Sequence, residues 1–351
     1  MKKLIFSLLT AIIAVCNTNA QSSLVATLNH EGNISAYYGI NALSQAHSAA
    51  VNGDIITLSS GTFVACDITK AVTIRGAGME YNDGVEPTRL QGDFSVNVST
   101  DRTYILTIEG IFHSNTLSLR VATKPLFFKC RLGTVNAFYD GSSTYYGKVK
   151  DANFIHCKVA AQFYLGASNT AFFDNCVVYE PGKYYNNNDY NSINTRYYFN
   201  NCVLKFSGKS YNGFYLSYLA NLRYSYLKNC IIYSTSTNTT IPNTTTMYNN
   251  ISNVSCFANA LNTTNTVVSD SSTLFKTWTG GDYSDEEKFD LTDEAVTKYL
   301  GSDGKQVGLY GGSLPYDPIP TQPKITKCDV AAKTTADGKL SVDIEVEGAD
   351  Y

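Results

Sequence analysis

The sequence predicts an all-β chain wound as a parallel β-helix, a solenoid of stacked strands, with a capping helix near its start and a short β-hairpin at its end. Three observations lead there. Cysteines recur from Cys130 onward at gaps of 27, 19, 26, 28 and 26 residues. The first five share an apolar residue three positions before (Phe127, Phe154, Phe173, Phe199, Leu227) and another two positions after (Leu132, Val159, Val178, Leu204, Ile232). The residue just before each is polar: Lys129, His156, Asn175, Asn201 and Asn229. A strand-rich unit of this period cannot bury its own apolar face and does so only by stacking on the units above and below. Cys256 keeps the spacing but has Asn253 three positions before it, so the regular stack is expected to degrade there.

The elements follow in chain order. Lys2 and Lys3, the apolar run 4–15 and Ala20 read as a secretory signal peptide over residues 1–20. Its removal takes Lys+Arg from 27 to 25 against 30 Asp+Glu, a net charge of about −5. That balance excludes the basic footprint of a nucleic-acid-binding protein. A lipid anchor at Cys16 is the second reading, disfavoured by the bulky Val15 before it. No other apolar run approaches the roughly 18 residues of a spanning helix, so the chain is expected in the periplasm, on the outer surface or in the medium.

A helix is expected over residues 35–51: Ser35 is a plausible N-cap, Ile40, Leu43 and His47 recur at helical spacing, and Asn52-Gly53 ends it. Placed before the first strand, it suits a cap over the open end of a solenoid. Residues 54–58, 72–76, 94–98 and 105–111 are strand-length, β-branched or alternating segments separated by Gly, Asn and Asp. In the regular coils the cysteines read as packed thiols rather than disulfides, and the Asn columns as tight bends in the left-handed region.

The β-helix is assigned to residues 21–314 and a Pro-rich linker with a hairpin to residues 315–351. Pro315, Pro318, Pro320 and Pro323 stiffen the linker; residues 325–331 and 340–346 alternate around Ala336-Asp337-Gly338-Lys339. The acidic run 282–287 lacks the order of a calcium loop and reads as a solvated loop.

Several of these segments carry a family resemblance. Asn52-Gly53-Asp54-Ile55-Ile56, Ser60-Gly61-Thr62-Phe63 and Val72-Thr73-Ile74-Arg75-Gly76-Ala77-Gly78 resemble the opening coils of the pectin-lyase-like superfamily. Gln306-Val307-Gly308-Leu309-Tyr310-Gly311-Gly312, followed by Pro315, resembles the closing coil of exported β-helix proteins of Bacteroidetes. The resemblance spans about residues 30–315 and implies a right-handed β-helix in a cell-envelope setting. It does not imply one activity, since the superfamily includes polysaccharide lyases, glycoside hydrolases, esterases and adhesins.

Lyases of this fold, as the resemblance implies, use a Lys or Arg to take a proton beside a uronate carboxylate, often with calcium. No acidic column repeats across the coils here. Lys129 and Arg131 on one coil, with His156 and Lys158 on the next, flank inward cysteines and are expected on one outer face. Such a patch suits an acidic sugar, and equally suits a solvated strand face. Calcium enters only with that lyase reading; otherwise no cofactor or metal is expected. The hydrolase pattern of paired aspartates is missing, and Gly166-Ala167-Ser168-Asn169-Thr170 lacks the second Gly of a nucleophile elbow. His156 and Cys157, read as neighbours on a strand, are expected to point to opposite faces.

Tyrosine usage points toward sugar: 26 Tyr against one Trp, with doublets Tyr145-Tyr146, Tyr184-Tyr185 and Tyr197-Tyr198. Aromatic rings flanked by amides stack on and hydrogen-bond to sugars, although tyrosine also simply favours strands. The leading expectation is an envelope protein that binds a polysaccharide or surface glycan without strong catalytic features. The alternatives are an acidic-glycan lyase and a structural surface protein or adhesin.

Overall fold

The computed structural model describes residues 24–321, other than 83, 99–102, 138–147, 167–168, 185–194, 208–209, 212–214, 217–218, 236–239, 259–263, 281–283 and 285, together with 324–330 and 342–347. The expected signal segment, Cys16 and the turn 336–339 lie outside the described residues. Among the described residues, eleven strands form a first sheet and fifteen a second. From Ile55–Leu58 onward the first sheet is parallel through every coil to Thr246–Tyr248. The main path of the second runs equally parallel from Gly61–Val64 to Thr266–Val267. The molecule is a parallel β-helix. Among the described residues, no helix is long and apolar enough to cross a membrane.

The N-terminal end differs from the expectation. The helix, α1, spans only Ala42–Ala49, with Asn41 at its N-cap. The residues expected as its first turns instead form strand β2, Asn33–Tyr38, paired antiparallel with β1, Val25–His30. Ile34 and Tyr38 then belong to a period-two pattern, and Glu31-Gly32, both at positive φ, make the tight turn between the strands. β1 extends the first sheet by pairing antiparallel with Ile55–Leu58. The short helix still covers the open end: Ala42, Leu43 and Ala46 are buried in the same core as the first coils.

Inside the coils, the cysteine register predicts the packing. Phe127, Phe154, Phe173 and Phe199 stack face to face at 4.9, 4.8 and 4.9 Å. These distances match the strand spacing of about 4.8 Å, so each ring sits on its equivalent in the next coil. Leu227 and Met247 continue that column. The thiols of Cys130, Cys157, Cys176 and Cys202 each lie between two carbonyls, as Cys157 Sγ lies 3.2 Å from Phe127 O and 3.3 Å from Ile155 O. The column continues past Cys230 with Asn250, not Cys256, because Ile231 pairs with Ile251. Asn250 replaces the thiol with amide bonds, accepting from Cys230 N at 2.8 Å and donating to Leu227 O at 3.1 Å.

Cys66 and Cys256 are free, as are Cys130, Cys157, Cys176, Cys202 and Cys230, which are fully buried. Burial pushes the Cys130, Cys176 and Cys230 thiols well above their usual range, and holds half-buried Cys66 at about 11. Thiol–thiol contacts pull Cys157 and Cys202 the other way, but no reagent can reach any of the five, so all five column thiols are expected to resist a thiol reagent at neutral pH and to react together once denaturant opens the coils. Prompt labelling of any of them in the native protein, identified by mass spectrometry, would contradict this packing.

Each bend before the cysteine is a single left-handed residue: Lys129, His156, Asn175, Asn201 and Asn229 have φ between 48° and 56°. A corner this tight needs one residue outside the β region, and Asn is the side chain that tolerates it best. The backbone N–H at each corner donates to the next coil, as from His156 to Asp174 O at 3.1 Å. His156 and Cys157 are thus at a corner rather than on a strand.

A long C-terminal stretch then returns along the outside. Phe275, Phe289, Leu291, Val307, Leu309 and Tyr316 pack on the outward Val177, Val203, Ile231 and Ile251 of the second sheet as a separate hydrophobic cluster. The acidic run 282–287, expected as a solvated loop, ends in Glu287, which is buried and accepts N–H bonds from Thr279 at 3.1 Å and Phe289 at 3.0 Å. The strap continues to Thr321, so residues 315–321 lie against the solenoid rather than forming a free linker. Beyond it, Lys324–Val330 and Val342–Glu347 pair antiparallel as the expected hairpin.

Candidate functional site

The strap reads the corner column residue by residue. Asn229 O accepts from Gly308 N at 2.8 Å, and Asn175 Nδ2 donates to Leu309 O and Gly311 O at 2.8 Å each. His156 Nε2 donates to Leu314 O at 3.2 Å, and Lys129 Nζ reaches Asp317 Oδ2 at 2.8 Å and Ile319 O. Thr321 N donates to Glu109 Oε1 at 3.0 Å. Gly311-Gly312 is required for this approach: at Gly312, with φ 78°, a Cβ would sit 2.4 Å from Asn201 Nδ2.

This arrangement takes apart the cationic patch expected from the sequence. The coil register does align Arg131 with Lys158, but Lys129 and His156 face the strap and are buried by it. Burial also holds the His156 imidazole below its usual range, so it is neutral at pH 7. Lys158 is buried against Glu80, at 2.5 Å. Arg131 lies over the Phe112 ring at 4.5 Å. The four side chains do not form one open surface, because the strap and Glu80 cover three of them.

The strap also forms the wall of a trough on the outer face of the first sheet, with a volume of about 250 Å³. Its floor is the column Asp174, Asn200 and Lys228, one residue per coil, with Asn200 Nδ2 donating to Asp174 Oδ1 at 3.0 Å. Asp303 and the strap residues 312–314 close the other side. Two positions earlier on the same strands, and therefore on the same face, stands an aromatic row. Phe172 stacks on Tyr198 at 4.5 Å and Tyr198 on Tyr226 at 6.2 Å; Tyr248, in register with Lys228 on the next coil, tilts against Tyr226 at 5.9 Å. Rings stacked face to face offer solvent their edges and hydroxyls. Tyr226, with Tyr198 on one side and Tyr248 on the other, is 42% exposed.

Of the tyrosines singled out from the sequence whose side chains are described, Tyr198 is in this row and Tyr197 is not. Tyr197, its strand neighbour, points inward by the two-residue alternation; it is fully buried and its hydroxyl donates to Gly182 O. Tyr145, Tyr146 and Tyr185 lie outside the described residues, as does the side chain of Tyr184. The doublets are a poor signal, since adjacent strand residues cannot share a face. The useful signal is the cysteine register itself: four positions before Cys176, Cys202 and Cys230 stand Phe172, Tyr198 and Tyr226, and two before stand Asp174, Asn200 and Lys228.

Among the described residues, no three His, Cys, Asp or Glu side chains cluster as metal ligands would. Comparison of the chain with family models, with curated proteins and with solved structures finds no match.

Proposed function

We propose that this chain is an exported β-helix protein of the pectin-lyase-like type that binds a neutral glycan, without turning it over, in the trough along its first sheet. The observation that carries this reading is the pairing of the Phe172–Tyr198–Tyr226 row with the Asp174–Asn200–Lys228 row, under a wall supplied by the strap. Carboxylate, amide and ammonium groups at strand spacing offer alternating acceptors and donors to sugar hydroxyls, and the exposed Tyr226 offers an aromatic edge for apolar contact with a sugar. Asp174 and Asp303 against Lys228 leave the trough with one net negative charge, which favours an uncharged chain over a polyanion. The candidate lyase bases are otherwise engaged: Lys129 by Asp317 and Lys158 by Glu80.

Affinity electrophoresis against a panel of neutral and acidic polysaccharides, with calcium present, tests this. Retardation by a neutral polysaccharide is expected, weakened about tenfold by Tyr226→Ala and by Lys228→Ala, without any growth of unsaturated-product absorbance. Absorbance growth would replace binding with lyase activity. Retardation by none of the panel, or retardation indifferent to both variants, would remove the trough as the binding site.

A further inference from the structure

Strand β2 is a bare sheet edge. It stands last in the order of the first sheet and is bonded, among the described residues, to β1 alone. Two observations fix the alternation of its backbone: His30 pairs with Asn33 across the Glu31-Gly32 turn, and Gly39 N donates to Leu24 O at 2.9 Å. Asn33, Ser35 and Tyr37 therefore turn their N–H and C=O groups toward β1, and Ile34, Ala36 and Tyr38 turn theirs outward, where no described strand receives them. The side chains alternate in the same phase. Tyr37 packs against the core, while Ile34 and Tyr38 lie on the outer face, 71% and 49% exposed, with Ala36 exposed between them.

The neighbouring edge at this end of the molecule is protected. Gly61–Val64, the first strand of the second sheet, is packed by α1, and the N–H of Val64 is taken by Ile40 O at 2.8 Å. β2 has none of the usual protective devices: Asn33–Tyr38 carries no charge and no proline, and no bulge interrupts its pairing with β1. Such an edge is a template for another strand, and its own copy fits it well. With two copies antiparallel about a two-fold axis at Ala36, Ile34 of each faces Tyr38 of the other and Ala36 faces Ala36. The outward-directed residues of both copies then meet as hydrogen-bonded pairs. An aromatic ring opposite a β-branched side chain is a favourable cross-strand pair. His30 and Glu31 stand at the turn, so the axis sends the two turns to opposite ends of the pairing and no like charges meet.

We propose that β2 is a self-association edge, through which two copies of this chain join, antiparallel and two-fold related at Ala36, into one continuous first sheet. The axis is perpendicular to the sheet, so the outer faces of both copies look the same way, each with its trough, and one long polymer can meet both. The dimer itself does not depend on what the trough binds. The contact is short: a six-residue edge with two apolar side chains from each copy falls below the roughly 800 Å² per partner of a standard interface. The dimer is therefore weak, with a dissociation constant on the order of 10 μM.

Sedimentation velocity of the chain from residue 21 onward tests it. Mostly monomer is expected about tenfold below that concentration and mostly dimer about tenfold above it. Ala36→Pro removes the central outward N–H without touching a bond to β1, and is expected to keep the chain monomeric throughout. Ile34→Lys with Tyr38→Lys, two exposed changes that set like charges opposite each other across the axis, is expected to do the same, with circular dichroism unchanged. The register is read by mild oxidation. Ala36→Cys lies opposite its own copy, with about 5.5 Å between Cα atoms, and is expected to give a covalent dimer. Ile34→Cys, on the same face but four residues out of register with its copy, is expected to give none. A chain monomeric at the highest concentration, the outcome if another protein's strand takes the edge, would overturn the proposal. So would a dimer indifferent to the double lysine change, the absence of the Ala36→Cys cross-link, or equal cross-linking by both cysteine variants.

Discussion

Phe154→Ala is expected to destabilise the protein by about 3–5 kcal/mol, the range for deleting a fully buried phenylalanine ring. Phe154 is fully buried in the middle of the aromatic column, stacked between Phe127 and Phe173 and touched at its edge by Phe163 at 5.2 Å. Alanine there leaves a void that the rigid strands on either side cannot close, and breaks two stacked contacts at once. Because each coil leans only on its neighbours, the damage should be read locally as well as globally. In urea unfolding the midpoint is expected to fall, and amide exchange should speed up first in strands Leu126–Phe128, Ala152–Ile155 and Thr170–Asp174. Tyr226→Ala on the outer face provides the contrast, with a cost of no more than about 0.5 kcal/mol. A loss below about 1 kcal/mol for Phe154→Ala would show that the column does not carry the stack.

Glu80→Gln is expected to cost about 3 kcal/mol at neutral pH, whereas Lys158→Met is expected to be nearly neutral. The asymmetry comes from burial: the Lys158 side chain is 4% exposed and that of Glu80 is 23%. Removing the carboxylate strands a buried ammonium, while removing the lysine leaves a carboxylate that water can still reach. Burial already holds the Lys158 ammonium below its usual range, with the Glu80 carboxylate opposing that shift. Glu80→Gln removes the opposition, so the folded protein sheds the proton at a lower pH than the unfolded chain does. Between that depressed folded value and the ordinary lysine value the unfolded state binds more protons, and stability therefore rises with pH. Urea unfolding of Glu80→Gln from pH 7 to 10 should show its deficit shrinking. A constant deficit, or a larger cost for Lys158→Met, would refute the burial argument.

Much of the fold was legible because a solenoid writes its contacts into the sequence at short range. The column Phe127, Phe154, Phe173 and Phe199, the apolar column that follows the cysteines and the left-handed corners all follow from a count of positions around Cys130 to Cys230. The same count held the outer trough, since Phe172, Tyr198, Tyr226 and their polar partners occupy fixed offsets from those cysteines. Tyrosine doublets reach only Tyr198 of that row and draw in the inward Tyr197. The start of α1 was misplaced because the turn at Glu31-Gly32 and the alternation of residues 33–38 compete with a helical pattern, and pairing with β1 decided between them.

By itself, then, the sequence determined the repeat, its interior and its corners, because each coil is stabilised by equivalent residues one period away. What only the tertiary structure decided is the fate of the cations on those corners and beside them. Lys129 meets Asp317 across 188 residues, His156 meets Leu314 across 158, and Lys158 meets Glu80 across 78. No local period encodes such meetings. The first two exist because the strap has an apolar face that must be buried, and the outward valines and isoleucines of the second sheet are where it can be.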